Sequence, residues 1–263
     1  MLIATDLDGT LVPHGQPAPG DYTAQVLRRA DEAGVPVVLV TARPLRWMEE
    51  MWPHVGGHGL AIVSNGAITY DVAAREIVAL DAIAPEDGLA IADAIRAVVP
   101  DAGFGLECVD GLRLDDTYRE VEHLVPAGTP QGPLKEVFDA PAVKMLVRAP
   151  GTETETLHAA VVEAVGDSAT ATFSSPGLVE LSAPGVTKAS ALAALCARLG
   201  VDAGEVVAFG DMPNDLAMLT WAGTGYAVAD AHPSLLAVAD HVAPSSGEEG
   251  VAQVLARLLD ACA

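Results

Sequence analysis

Apolar residues in this chain cluster in short, nearly unbroken runs: Leu2-Ile-Ala, Val35-Pro-Val-Val-Leu-Val40, Leu60-Ala-Ile-Val63 and Val206-Val-Ala-Phe209. A strand apolar on both faces must be covered on both faces, which predicts a parallel sheet rather than a half-exposed antiparallel one. The intervening stretches have apolar positions three and four apart. Pro19 to Gly34 (Ala24, Val26, Leu27, Ala30) reads as a helix stopped by Gly34, and Thr187 to Leu199 as a helix stopped by Gly200. Pro44, Pro213 and Pro233 stand where helices would open, and a last helix starts near Glu248. Strand Gly225 to Val228 comes before the Pro233 helix, and a short strand at His241 to Ala243 comes after it. Alternation of strand and helix predicts an α/β fold, a Rossmann-like parallel sheet with helices on both faces.

The pattern changes between residues 82 and 184. A hairpin, Ala67 to Tyr70 and Glu76 to Leu80, precedes a helix at Pro85 to Val99. Strands at Phe104 to Val109 and Leu112 to Leu114 follow, joined by Asp110-Gly111, a strong turn dipeptide. Strand Val143 to Val147, helix Thr152 to Val165, and strands Ala169 to Phe173 and Leu178 to Leu181 complete an α+β segment with its own antiparallel sheet. The expected organisation is a core domain over 1–81 and 185–263, interrupted by a lid-like domain over 82–184.

Charge narrows the function. Fourteen Lys and Arg against 36 Asp and Glu leave a net charge of −22. Nucleic acid and anionic membrane are thereby excluded as main partners, because both need a positive surface. Only three lysines occur, Lys135, Lys144 and Lys188, so a lysine within a motif is informative. Cys108, Cys196 and Cys262 form neither metal-ligand spacing nor a disulfide framework. The start lacks the basic and apolar regions of a signal peptide, and no apolar run approaches the ~18 residues of a membrane span. The expectation is a soluble, cytoplasmic protein.

In an open parallel sheet, ligands bind beyond the carboxyl ends of the strands. Four strands here end in polar sets: Asp6 and Asp8; Thr41 and Arg43; Ser64 and Asn65; Asp211 with Asn214 and Asp215. Carboxylates this close repel each other, and a divalent cation with a taste for oxygen, such as Mg2+, is their natural partner. Helix N-termini among the same tips favour an anion. Lys188 opens a helix, where a cation is unfavourable unless an anion lies nearby.

Asp6-Leu-Asp8-Gly9-Thr10-Leu11, Val40-Thr41-Ala42-Arg43, Gly185-Val-Thr-Lys188 and Gly210-Asp211-Met-Pro-Asn214-Asp215-Leu-Ala-Met-Leu219 resemble, in order, the four motifs of the haloacid dehalogenase superfamily. About a hundred residues separate the second motif from the third, which looks like the Cof-type branch (subfamily IIB) with its larger α+β cap. Ser64-Asn65-Gly66-Ala67, Val179-Glu180-Leu181 and Glu249-Gly250-Val251-Ala252 resemble that branch too. Ala42 and Ala189 depart from it, standing where Gly is common. The resemblance implies a phosphatase of small phosphorylated metabolites, sugar phosphates among them, working through an aspartyl phosphate. Asp6 would be the nucleophile and Asp8 the general acid and base. Asp6, the backbone carbonyl of Asp8, and Asp211 would hold Mg2+. Thr41, with Ala42 and Arg43 after it, Lys188 and Asn214 would contact the phosphoryl group, and Asp215 and Thr10 would support the site. Two rivals remain, a sugar-phosphate phosphomutase and a phosphorylatable Mg2+-binding regulator without turnover. The substrate depends on insert side chains, and for Arg113, Arg119, Lys135, Lys144 and Arg148 the simplest expectation is a solvated surface. Oligomeric state is not legible.

Overall fold

The computed structural model describes residues 1–119 and 125–262, the side chain of Cys262 excepted. The chain forms two compact units, Met1–Ala79 with Thr187–Ala263, and Leu80–Val186.

Unit 1 opens with β1 (Leu2–Thr5), α1 (Asp21–Glu32), β2 (Val37–Val40), β3 (Leu60–Val63) and β4 (Ile68–Asp71), and β5 (Glu76–Leu80) leads out of it. Unit 2 holds α2 (Pro85–Val98), β6 (Gly103–Cys108), β7 (Gly111–Asp115), β8 (Gln131–Gly132), α3 (Leu134–Val137), β9 (Ala142–Arg148), α4 (Thr154–Val165), β10 (Thr170–Ser175) and β11 (Leu178–Ser182). The chain then returns to unit 1 with α5 (Lys188–Leu199), β12 (Val206–Gly210), α6 (Leu216–Trp221), β13 (Thr224–Val228), α7 (Pro233–Leu236), β14 (His241–Ala243) and α8 (Gly250–Cys262).

The sheet of unit 1 has the order β14-β13-β12-β1-β2-β3-β4-β5. All pairings from β14 to β3 are parallel, and β4 turns back antiparallel on β3. The unbroken apolar runs become its central strands. Leu2, Ile3, Val38, Leu39, Ile62 and Phe209 are wholly buried, each contributing roughly 1.5–3 kcal/mol of transfer free energy. From β1 the chain moves outward through β2 and β3, then restarts beside β1 at β12 and moves outward the other way. The reversal makes the carboxyl ends of β1 and β12 a topological switch point, where an open sheet leaves a crevice. α1 turns Thr23, Ala24, Val26, Leu27 and Ala30 inward, as its spacing predicts.

Unit 2 is a six-stranded sheet, β10-β11-β9-β6-β7-β8. Phe104, Leu106, Met145, Val147, Val179 and Leu181 form one core with Ile91 and Ile95 of α2 and Leu157 and Val161 of α4. Leu112, Leu114, Tyr118, Leu146 and Leu178 form a second, smaller cluster.

The structure corrects several expectations. Pro44 opens no α-helix: Leu45–Trp47 and Trp52–His54 are single 3-10 turns, and Pro53 within the second supplies no N–H to continue a ladder. Pro213 opens a 3-10 turn, Pro213–Asp215, before α6. β8 and α3 were not foreseen, because two and four residues carry no period. The solvated surface holds for Arg119 and Lys135 but not for Arg113, Lys144 and Arg148, which are buried. Arg113 pairs with Asp110 and Asp139, Lys144 with Glu180, and Arg148 donates to the carbonyl of Gly177. Among the described residues, no helix is long and apolar enough to cross a membrane.

Candidate active site

The backbone after β1 winds tightly. The Gly9 N–H donates to the carbonyl of Val12 at 2.8 Å, and those of Thr10 and Val12 donate to Leu7 at 3.1 and 2.8 Å. Gly9 takes φ +82°, and a Cβ there would stand 2.3 Å from Asp211 Oδ2, so only glycine lets this turn pass so close to the β12 tip. Leu7, between Asp6 and Asp8, is wholly buried, and Asp6 is buried while the Asp8 side chain is 46% exposed.

Asp6 faces inward and is 5% exposed. Its Oδ1 accepts from Lys188 Nζ at 2.5 Å, and the same ammonium donates to Asp215 Oδ1 at 2.7 Å. Asp215 Oδ2 accepts the backbone N–H groups of Asp211 and Met212 at 3.1 and 3.2 Å, which ties down the turn after β12. Thr10 Oγ1 donates to Asp211 Oδ1 at 2.9 Å. One carboxylate oxygen from each of Asp6, Asp211 and Asp215 lies within 4.8 Å of the others, all three buried. The helix that carries Lys188 starts where it does because Thr187 and Ser190 cap each other. Gly66 (φ +104°) fixes its approach, since a Cβ there would lie 2.3 Å from the Thr187 carbonyl oxygen.

Three buried carboxylates face one ammonium. Burial pushes the Asp6 carboxyl up to about 7, against the pull of Lys188, with Asp215 and Asp8 adding repulsion. Burial likewise pushes Asp211 up to about 9, reinforced by Asp6 and Asp215. Burial alone would lower Lys188; the two carboxylates more than offset that and hold it above the ordinary lysine range. The cluster is short of positive charge, and its donors are all oxygens, so the residues present fit a hard divalent cation such as Mg2+.

Asp8 points elsewhere. Arg43 clasps it with two parallel bonds, Nε to Oδ2 at 2.8 Å and Nη2 to Oδ1 at 2.6 Å. Burial lowers the Arg43 guanidinium and Asp8 more than restores it, leaving it above its ordinary value. The side chain of Arg43 is thus placed on a carboxylate, and that of Asp8 lies outside the three-carboxylate cluster. Thr41 is buried, its hydroxyl accepting from the Arg43 N–H at 3.0 Å, with Ala42 between them. Asn214 Nδ2 donates to Asn65 Oδ1 at 3.1 Å, and Asn214 Oδ1 is buried without a hydrogen-bond partner among the described residues.

Two further residues join the site: Asn65, which the sequence places at a strand tip without a role, and His14. Asn65 lies in a left-handed stretch with Ser64 (φ 57° and 53°), a conformation costing roughly 1–2 kcal/mol per non-glycine residue. The N–H groups of Ser64 and Asn65 donate to the carbonyls of Arg43 and Thr41, joining the tips of β2 and β3. Ser64-Asn65 at a strand end was the available signal. His14 places Nε2 3.8 Å from Asp211 Oδ2, and nothing in the sequence pointed to it.

A family model described as haloacid dehalogenase-like hydrolase matches residues 3–255. The chain is 26% identical to a phosphoglycolate phosphatase of Methanothermobacter thermautotrophicus, covering 98% of both chains. It is 28% identical to an HMP-PP phosphatase of Cronobacter sakazakii, over 98% of this chain and 95% of that one. Its fold matches the subclass IIB sugar phosphatase BT4131 with a TM-score of 0.81, at 20% identity and 98% coverage of both. The α/β core, the ordered motifs and these matches agree: the chain belongs to the haloacid dehalogenase-like hydrolases, with the fold of subclass IIB, and is a phosphatase.

Proposed function

We propose that the protein hydrolyses phosphate monoesters of small metabolites through an aspartyl phosphate at Asp6, with Mg2+ as cofactor. The observation that carries the reading is the Lys188 ammonium lodged between Asp6 and Asp215 inside the cluster of carboxylates. Asp6 attacks the phosphorus, and its carboxylate is kept aimed by Lys188. Mg2+, held by Asp6, Asp211 and the backbone carbonyl of Asp8, would supply positive charge between the attacking carboxylate and the phosphoryl oxygens. Lys188, Thr41 and Asn214 contact the phosphoryl group, whose charge a molecule of net −22 must otherwise repel. Thr10 and Asp215 keep Asp211 in place. Asp8 protonates the leaving oxygen and then takes a proton from the attacking water. Arg43 holds the Asp8 carboxylate in position for that task rather than binding phosphate itself.

Unit 2 is, in this reading, the substrate-specificity domain. The relatives are named for different substrates, phosphoglycolate, HMP-PP and a sugar phosphate, so a panel of phosphorylated metabolites with Mg2+ is the screen that identifies this chain's own. Asp6→Asn tests the mechanism. It should abolish hydrolysis of an aryl phosphate while keeping the far-ultraviolet circular dichroism of the wild type, and acid quench should trap phosphoenzyme from the wild type alone. Substantial Mg2+-dependent turnover by Asp6→Asn would remove Asp6 as nucleophile.

A further inference from the structure

We propose that His14 is a nitrogen donor at the cation site of unit 1, so that this site also takes divalent ions that accept imidazole, Mn2+ and Co2+, and holds them through His14. The inference rests on the proposed function in that it uses the same cation site.

Three observations carry it. First, the separation of His14 Nε2 from Asp211 Oδ2 is 3.8 Å, too long for a hydrogen bond. Two donors about 2.1 Å from a shared ion stand roughly 3.0 Å apart at a right angle and roughly 4.2 Å apart across it, so 3.8 Å falls within the span of a chelating pair. Second, the two atoms converge. A Cβ at Gly9 would stand 2.3 Å from Asp211 Oδ2 and 2.6 Å from His14 Nε2, so both atoms border the space that this residue leaves open. Gly9 follows directly on Asp8, whose carbonyl the proposed function assigns to the cation. Third, Thr10 holds Asp211 Oδ1, so Oδ2 is the oxygen turned toward His14. The imidazole forms no hydrogen bond among the described residues, and its side chain is 70% exposed; the charge contact it does make, with Asp211 at 3.8 Å, is the one an arriving ion would bridge.

The chemistry follows from the donor set. Carboxylate and carbonyl oxygens suit Mg2+, which gains little from a nitrogen; Mn2+ and especially Co2+ bind imidazole more tightly. A histidine added to an oxygen cluster therefore raises affinity for those ions selectively.

The test uses the full chain, first stripped of metal with a chelator. Calorimetric titrations of wild type and His14→Gln with Mg2+ and with Co2+ should show Co2+ affinity falling at least tenfold in the variant, and Mg2+ affinity changing less than threefold. Pulsed electron paramagnetic resonance of Mn2+-loaded protein reads the bond directly: the wild type should show the nitrogen-14 modulation of a ligating imidazole, and His14→Gln should not. The side chain of His14 is 70% exposed, so His14→Gln should fold as the wild type does, and the circular dichroism of the variant checks it. Equal fold-losses for both ions, or identical nitrogen modulation in both proteins, would overturn the assignment while leaving the cation site and the proposed function standing. Failure of the wild type to bind either Mg2+ or Mn2+ would overturn both.

Discussion

Replacing Lys188 by Met tests how unit 1 tolerates its own active site. Methionine keeps most of the buried stem but removes the charge that sits 2.5 Å from Asp6 and 2.7 Å from Asp215. Read from the helix start alone, the loss of a cation from the first turn should stabilise. The structure reverses that sign, because the lysine is 1% exposed and bridges two buried carboxylates. Breaking a buried ion pair by deleting one partner costs about 3–5 kcal/mol. The variant's escape is to protonate one carboxylate, and a carboxyl with an unfolded value near 3.9 needs roughly 4 kcal/mol to stay protonated at pH 7. At pH 5 the same protonation needs only about 1.5 kcal/mol. The cost of Lys188→Met should therefore be largest above neutrality and shrink as pH falls. All three tryptophans, Trp47, Trp52 and Trp221, belong to unit 1, so their fluorescence in urea reports this unit's unfolding by itself. With a slope of about 2 kcal/mol per molar, the midpoint in EDTA should drop by about 1.5–2.5 M at pH 7.5 and by less than half of that at pH 5. An unchanged or raised midpoint, or a drop independent of pH, would refute the pairing.

Metal and pH should be linked through Asp6 and Asp211, whose carboxyls stand at about 7 and about 9 against an ordinary 3.8. Between about pH 4 and those values the folded state holds protons that the unfolded chain has released, so stability without metal falls as pH rises through that window. Mg2+ must displace the same protons, so its stabilising shift in Tm should grow from pH 5 to pH 8; a flat shift would separate these carboxyls from the metal. Gly9→Ala should cost roughly 1–2 kcal/mol through its left-handed backbone alone, and its Cβ must push Asp211 away. Mg2+ affinity measured by calorimetry should fall more than tenfold, and wild-type affinity would show that the close approach is not needed. Asp8→Asn should slow release of an alkyl leaving group more than that of an aryl one in single turnovers, since an aryl oxide departs without a proton; equal losses would end the acid role.

The sequence by itself determined the layout. Apolar runs unbroken along β1, β2, β3 and β12 can be buried only between two helical layers, and that one requirement dictates a parallel sheet whose carboxyl ends carry Asp6, Thr41, Ser64 and Asp211. The turn at Asp110-Gly111 and the stop of α5 at Gly200 were legible for the same kind of reason, since hydrophobic period, turn dipeptides and helix-ending glycines act over a few residues. Weak local signals misled where geometry took over. Pro44 permits a helix without requiring one, and the chain there makes two isolated turns instead.

Partnership was decided by tertiary structure alone. Lys188 meets Asp6 across 182 positions of sequence and Asp215 across 27, and Arg43 meets Asp8 across 35. Whether a charge is solvated, paired or short of a partner depends on which strand tips the sheet order brings together, and a residue's type says nothing of that. Lys144 and Arg148 have the composition of surface residues, yet the β9 register buries them. His14 reaches Asp211 only because Gly9, lacking a Cβ, lets one turn lie against another. Local residue patterns carry the energetics of elements, whereas electrostatic pairing falls off over a few ångströms of space and exists only once the fold has placed distant residues side by side.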